Sequence, residues 1–253
     1  MNYEALKIVW LEEERRPFSG WDFSCLESRW HREPLRWDYK DIVKAHLHPA
    51  DQLLDIGTGG GEFLLSLGHP YEKTSATEAW QPNIQLCMKT LLPLGIRLYP
   101  VQSGTLLPIA DDSFDIVINR HESYDLVEVS RILKRGGMFI TQQVGGENCA
   151  SFAKRLNNST EPSLYNDFSL SSEKPRFLEH GFEVQYSDES YPELRFFDVG
   201  AVVFWAKIIK WSFPGFSVES NFAQLCSIQD ELAQNGFISV IEHRFILVAH
   251  NCK

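Results

Sequence analysis

Between residues 52 and 145, short apolar runs alternate with stretches whose apolar residues recur at helical spacing. Leu53-Leu54-Asp55-Ile56 is predicted to be a buried strand, followed by glycines and a helix through Phe63, Leu64, Leu65 and Leu67. Thr74–Glu78 is predicted as the second strand. The helix after it carries Pro82 near its start, where a missing N–H is tolerated, and an apolar stripe at Ile84, Cys87, Met88 and Leu91. A third strand is predicted at Arg97–Val101 and a fourth at Phe114–Asn119. Leu126, Val129, Ile132 and Leu133 mark a helix that Gly136-Gly137 should end before a fifth strand, Met138–Val144. Strand and helix alternating five times implies right-handed crossovers and a parallel sheet with helices on both faces.

The flanks are less regular. Residues 1–48 read as helical and rich in tryptophan (Trp10, Trp21, Trp30, Trp37), with breaks at Pro17, Gly20 and Pro34. After Gly145 come a helix near Ser172–His180 and a strand at Phe182–Ser187. Residues 190–236 hold two predicted helices separated by Trp211-Ser212-Phe213-Pro214-Gly215-Phe216. A last strand alternates through Ile241, His243, Phe245, Leu247 and Ala249. The expected fold is α/β: a Rossmann-like, doubly wound, mostly parallel seven-stranded sheet with an antiparallel last strand. Residues 1–48 would form a helical lid, 49–189 the core, 190–236 a cap over the substrate and 237–253 the last core strand.

Composition narrows the function. With 24 basic and 34 acidic residues the net charge is −10. Such a surface repels phosphate backbones, and no basic stripe offsets it, so a nucleic-acid partner is not expected. Five cysteines are widely spaced with no CxxC pair, which indicates reduced thiols and a cytoplasmic setting rather than a disulfide framework or zinc site. His46 and His48 have no third ligand nearby, so no metal is expected. The longest apolar run, residues 200–206, is too short to span a bilayer. Glu4, Lys7 and Glu12–Glu14 give the N-terminus no signal-peptide form.

The chemistry concentrates in Asp55-Ile56-Gly57-Thr58-Gly59-Gly60-Gly61, directly after a buried strand. Such glycines let backbone approach a ligand closely and offer amide donors at a helix start. A dinucleotide fingerprint would need a third glycine where Glu62 stands. The D-x-G-x-G-x-G pattern instead resembles motif I of class I S-adenosylmethionine-dependent methyltransferases. Three later segments are similar to that family in order and spacing: Glu78 ending the second strand, Leu107-Pro108-Ile109 through Asp111-Asp112-Ser113-Phe114-Asp115, and Arg131-Ile132-Leu133-Lys134-Arg135-Gly136-Gly137. The resemblance covers roughly residues 50–145, to a family whose members include the ubiquinone/menaquinone biosynthesis methyltransferases.

The resemblance implies S-adenosylmethionine as cofactor. Gly57, Gly59 and Gly61 would shape the methionine side, Asp55 would order the loop, Glu78 would hold the ribose and Trp80 would lie against the adenine. The family's adenine-binding Asp is here Ser103, followed by Gly104; a hydroxyl accepts the same bond more weakly. Asn119 closes the fourth strand on the cofactor side. His121 is the expected acceptor-side base, with Glu122 orienting it or binding a cationic acceptor. Gln142 and Gln143 are expected to look into the same crevice. The expected acceptor is a small molecule attacked at O, N or C. An RNA or protein substrate is the alternative, although Arg120-His121-Glu122 replaces the prolines and aromatic that would clamp a flipped base. A cofactor-binding protein without catalysis is the other alternative.

Overall fold

The computed structural model describes residues 2–18, 23–102, 106–157 and 167–253. The N-terminal stretch supplies helix α1 (Tyr3–Arg15), strand β1 (Trp30–Arg32) and helix α2 (Tyr39–His46). Then follow β2 (Leu53–Ile56), α3 (Glu62–Ser66), β3 (Thr74–Glu78), α4 (Gln81–Thr90), β4 (Arg97–Pro100), β5 (Phe114–Arg120), α5 (Leu126–Ile132) and β6 (Leu133–Val144). The remainder holds α6 (Ala150–Asn157), α7 (Leu170–Glu179), β7 (Phe182–Ser190), β8 (Glu193–Phe196), α8 (Val199–Ile208), α9 (Phe222–Asn235), β9 (Ile238–Ile241) and β10 (Arg244–Asn251).

Seven strands form one sheet in the order β4-β3-β2-β5-β6-β10-β7. The β2–β6 pairings are parallel, and β10 runs antiparallel to both β6 and β7. Successive strand residues face opposite sides, so each core strand feeds two apolar layers. On one side Tyr39, Val43, Leu64, Cys87 and Leu91 pack on Leu53, Ile116, Ile118, Ile140 and Ile246. On the other, Val129, Ile132 and Phe177 pack on Leu54, Val117, Phe139, Phe245 and Leu247. The expected doubly wound, mostly parallel sheet is therefore the one observed.

A third apolar cluster lies apart from both faces. It gathers α1, α6, α8 and α9 around a three-stranded antiparallel sheet in the order β1-β8-β9, with Trp10, Phe152, Phe204, Trp205, Phe213 and Leu225 at its centre. Every residue from Val199 to Ala206 is buried, as a helix apolar all round must be. Asp198 caps that helix, accepting from the Ala201 N–H at 2.7 Å, and is held in turn by the fork of Arg29. Among the described residues no helix is long and apolar enough to cross a membrane.

Three expectations change. Residues 30–32 are a strand rather than helix, and Tyr39 and Val43 of α2 pack on the main sheet. The single last strand over 237–253 is two. β9 pairs with β8 in the small sheet and β10 enters the main one, with the break at Glu242-His243, both buried in charge and hydrogen-bond contacts. Finally, Gly136-Gly137 lie inside β6 as a bulge, where pairing jumps from Phe114–Leu133 to Ile116–Met138.

Candidate functional site

The carboxyl ends of β2, β3, β5 and β6 meet where open parallel sheets bind ligands. Gly57, Gly59 and Gly61 all adopt positive φ (73°, 64° and 87°), so the chain turns from β2 into α3 through conformations that side chains disfavour. The loop is tied to β3. Gly57 N–H donates to Thr77 Oγ1 at 3.1 Å, Thr58 N–H to the Thr77 carbonyl at 3.0 Å and Gly59 N–H to Glu78 Oε2 at 2.8 Å. The other Glu78 oxygen accepts from the N–H groups of Ala79 and Trp80, both at 2.8 Å. Three of the roughly four lone-pair directions of this buried carboxylate are thus taken by backbone. Trp80 is 45% exposed beside it, leaving a ring face open. Asp55 is buried under the loop. Loss of hydration lifts its pKa to about 6, opposed by a hydrogen bond from the Thr58 side chain and by Arg120 and helped by the Glu78 charge.

Asn119 is completely buried and its amide is spent on the scaffold. It donates to the Ile56 carbonyl at 3.2 Å and accepts from Thr141 Oγ1 at 2.9 Å and from the Gln143 amide. Asn119 therefore laces β2, β5 and β6 together at their ends. Gln143 also donates to the Glu122 carbonyl at 3.2 Å, so it braces the loop rather than looking into the crevice.

His121 stands on the opposite face of the sheet with its backbone at φ +64°, a left-handed conformation uncommon outside glycine. Its N–H donates to the Gln142 carbonyl at 2.9 Å, and its Nε2 lies 3.0 Å from Gln142 Nε2. Gln142 Oε1 accepts from the Trp37 indole N–H at 2.8 Å. The ring sits deep among protein atoms yet opens on solvent. Loss of hydration, then the charges of Arg244, Arg120 and Arg32, hold its pKa well below 6.5. The expected pairing of His121 with Glu122 is not formed. Glu122 turns the other way, accepting from Ser123 N–H and Oγ at 2.9 Å each, with its stem against Gly57.

Sequence reasoning missed the residues around this ring. Arg32 and Arg244 share the buried carboxylate of Glu242, Arg244 at 2.6 Å. Arg120 lies over the Phe63 ring, 4.4 Å from its centroid, and makes no ion pair among the described residues. Only one signal pointed here: Arg120 follows, and Gln142 lies near the end of, a strand predicted to end at the site, and the two face each other in register. Arg32 and Trp37 come from a distant segment with no motif. Ser103 and Gly104 lie outside the described residues. A depression lined by His46, His48, Asp51, Lys134 and His250 lies at the opposite, amino-terminal ends of the strands, away from this chemistry. No group of three metal ligands occurs among the described residues.

A seven-stranded sheet of this order, with one antiparallel strand and a glycine cradle after its first core strand, is the architecture of class I S-adenosylmethionine-dependent methyltransferases, and the similarities that follow support that reading of the core. Residues 54–141 match the family model described as a methyltransferase domain. YcgJ of Bacillus subtilis, an uncharacterized methyltransferase, is 27% identical over 148 residues, covering 54% of this chain and 58% of YcgJ. The chain thus spans under two thirds of the curated relative it matches. Solved structures give the fold. YcgJ itself aligns with TM-score 0.57 at 18% identity, over 85% of this chain and 98% of that one. A Bacillus halodurans protein aligns with TM-score 0.60 at 15% identity, over 85% and 99%.

The residues present fit the family's cofactor. The cradle turns through three left-handed glycines, with Glu122 set against Gly57 and Leu91 against Gly61. Glu78 keeps one acceptor direction beside an open tryptophan face, as a ribose and adenine require.

Proposed function

We propose that this protein transfers a methyl group from S-adenosylmethionine to an O, N or C atom of a small molecule, in line, leaving S-adenosylhomocysteine. The observation that carries this reading is the left-handed glycine cradle tied to Glu78 at the carboxyl ends of β2 and β3. Bound S-adenosylmethionine would supply an electrophilic methyl carbon on a positively charged sulfur.

The chain's own residues do the rest. Gly57, Gly59 and Gly61 admit the methionine portion, and Asp55 beneath them supplies negative charge to a cationic ligand. Glu78 holds the ribose and Trp80 covers the adenine, with Ser103 and Gly104 proposed to complete that end. Asn119 fixes the distance between β2 and β5, so the cradle keeps its shape. His121 stands at the acceptor side with Glu122 at the boundary between the two halves. Residues 1–48 and 190–236 are proposed to close over the acceptor and exclude water. A small molecule suits an acidic protein better than nucleic acid does, and widely spaced cysteines suit the cytoplasm.

Calorimetry tests the reading. S-adenosylhomocysteine should bind and NADH should not. Tight NADH binding with none for S-adenosylhomocysteine would end it.

A further inference from the structure

The contact between Gln142 and His121 has only one consistent assignment of protons. An indole N–H can only donate, so the Gln142 oxygen must face Trp37, as it does at 2.8 Å. The Gln142 nitrogen, which can only donate, then faces His121 Nε2 at 3.0 Å. Nε2 must therefore be the acceptor, without a proton, and the neutral ring carries its hydrogen on Nδ1. An imidazolium would set two donors against each other at this contact. Trp37 and Gln142 are buried, at 8% and 6% exposure, so water cannot readily substitute for either partner. The lone pair a general base would use is thus already engaged, while Nδ1 has no hydrogen-bond partner among the described residues.

The charges around the ring point the same way. Arg120 faces Gln142 across the β5–β6 ladder, and Arg244 lies on the same face, opposite Val144 of β6. Arg32 reaches in from β1 to share Glu242 with Arg244, leaving that trio with a net positive charge. Arg120 adds another positive charge with no ion-pair partner among the described residues. In a chain of net charge −10 this wall is locally cationic and rich in donors. It favours ligands that arrive as anions.

We infer that Trp37, acting through Gln142, holds His121 as a neutral hydrogen-bond donor, and that the acceptor methylated here is an anionic nucleophile, a carboxylate or thiolate, rather than a neutral group needing a base. The inference rests on the methyltransferase reading above. The acceptor's lone pair forms the new bond to the methyl carbon as the carbon–sulfur bond breaks, its electron pair returning to sulfur. An anion and a sulfonium give two neutral products, and no proton is released. Trp37 and Gln142 are positioning residues, and His121 Nδ1–H holds the anion in line.

The test is nitrogen NMR of the histidine-labelled full chain. In wild type, His121 should be neutral with Nδ1 protonated, and should stay neutral at pH 6. Trp37→Phe keeps an aromatic ring but frees Gln142 to rotate, so the Nε2–H form should appear. Gln142→Glu still accepts from Trp37 but now also accepts from His121, so it should move the proton to Nε2 and raise the His121 pKa by about 1–2 units. A wild-type ring protonated on Nε2, or titrating near 6.5, overturns the relay; so does an unchanged tautomer in Gln142→Glu. If Trp37→Phe fails to fold, Gln142→Glu decides alone. With S-adenosylhomocysteine filling the cofactor side, benzoate should shift the His121 resonances and benzyl alcohol at equal concentration should not. Equal responses, or none to benzoate, overturn the anionic acceptor. Failure of S-adenosylhomocysteine to bind would instead refute the methyltransferase reading, leaving the tautomer result standing.

Discussion

The stem of Glu122 lies directly on Gly57: a Cβ added to Gly57 would stand 2.4 Å from Glu122 Cγ and 2.6 Å from its Cβ. The residue after His121 and the first cradle glycine thus limit each other, and Gly57 also holds φ at +73°. Gly57→Ala should weaken S-adenosylhomocysteine binding by about five- to thirtyfold, since left-handed strain alone costs about 1–2 kcal/mol. Glu122→Ala should not rescue it, because that variant keeps the Cβ. Calorimetry on the single and double variants checks both statements; restored affinity in the double variant would mean the glycine acts through Glu122's far end alone.

Glu78 offers a sharper case. Both of its oxygens face backbone N–H groups, so turning the carboxylate into an amide places an NH2 against at least one donor. Glu78→Gln should therefore be nearly as damaging as Glu78→Ala. Each should lower S-adenosylhomocysteine affinity by about 1.5–3 kcal/mol, roughly ten- to a hundredfold. A Gln variant that binds normally would show that the charge is dispensable and the loop is held by other contacts.

The cap should be separable from the cradle. Trp10 is 2% exposed, packs against Phe222 and belongs to the cluster around α8, which shares no residue with the glycine loop. Trp10→Ala should cost about 3–5 kcal/mol of stability, as large-to-small core changes do. Affinity for S-adenosylhomocysteine should stay within about threefold, because loss of distant packing adds little to a site it does not touch. Denaturant unfolding alongside calorimetry makes the comparison. A matching collapse of affinity would mean that the cap and the cofactor site fold as one unit.

Much of this was legible in the sequence where one local physical rule governs each element. Leu53–Ile56 reads as a strand because both faces are buried, and the glycines after it read as a turn because nothing else tolerates three positive φ values. The division at Glu242-His243 was not legible. Alternation from Ile241 to Ala249 is unbroken, and the contacts that bury both residues come from Arg32 and Glu189 in other segments and from the adjoining Arg244. Asn119 was legible in position alone. It stands at the strand end, while the contacts of its amide with Ile56, Thr141 and Gln143 come from other segments. The Trp37–Gln142–His121 relay joins residues 105 and 21 positions apart, which no local pattern encodes.

Asp55 ties stability and cofactor binding to pH with opposite signs. Burial raises its pKa from 3.8 to about 6, so ionising it costs the folded state. The stability it contributes is full below about 3.8, where the carboxyl is protonated folded or unfolded, and is lost as the pH rises through about 6. The full shift corresponds to about 3 kcal/mol, an upper figure for the gain expected from Asp55→Asn at pH 8. Binding runs the other way. A cationic cofactor favours the ionised carboxylate, so wild-type affinity for S-adenosylmethionine should fall about fourfold between pH 7.5 and 5.5, as a group of pKa near 6 takes up its proton. Asp55→Asn should bind more weakly than wild type at pH 7.5 and show no such slope. Unfolding curves at pH 5 and 8, with calorimetry at pH 5.5 and 7.5, measure both. A variant that is less stable than wild type at pH 8 would mean that the carboxylate is held by contacts stronger than its cost of burial. A variant that keeps the wild-type slope in binding would place the titrating group elsewhere.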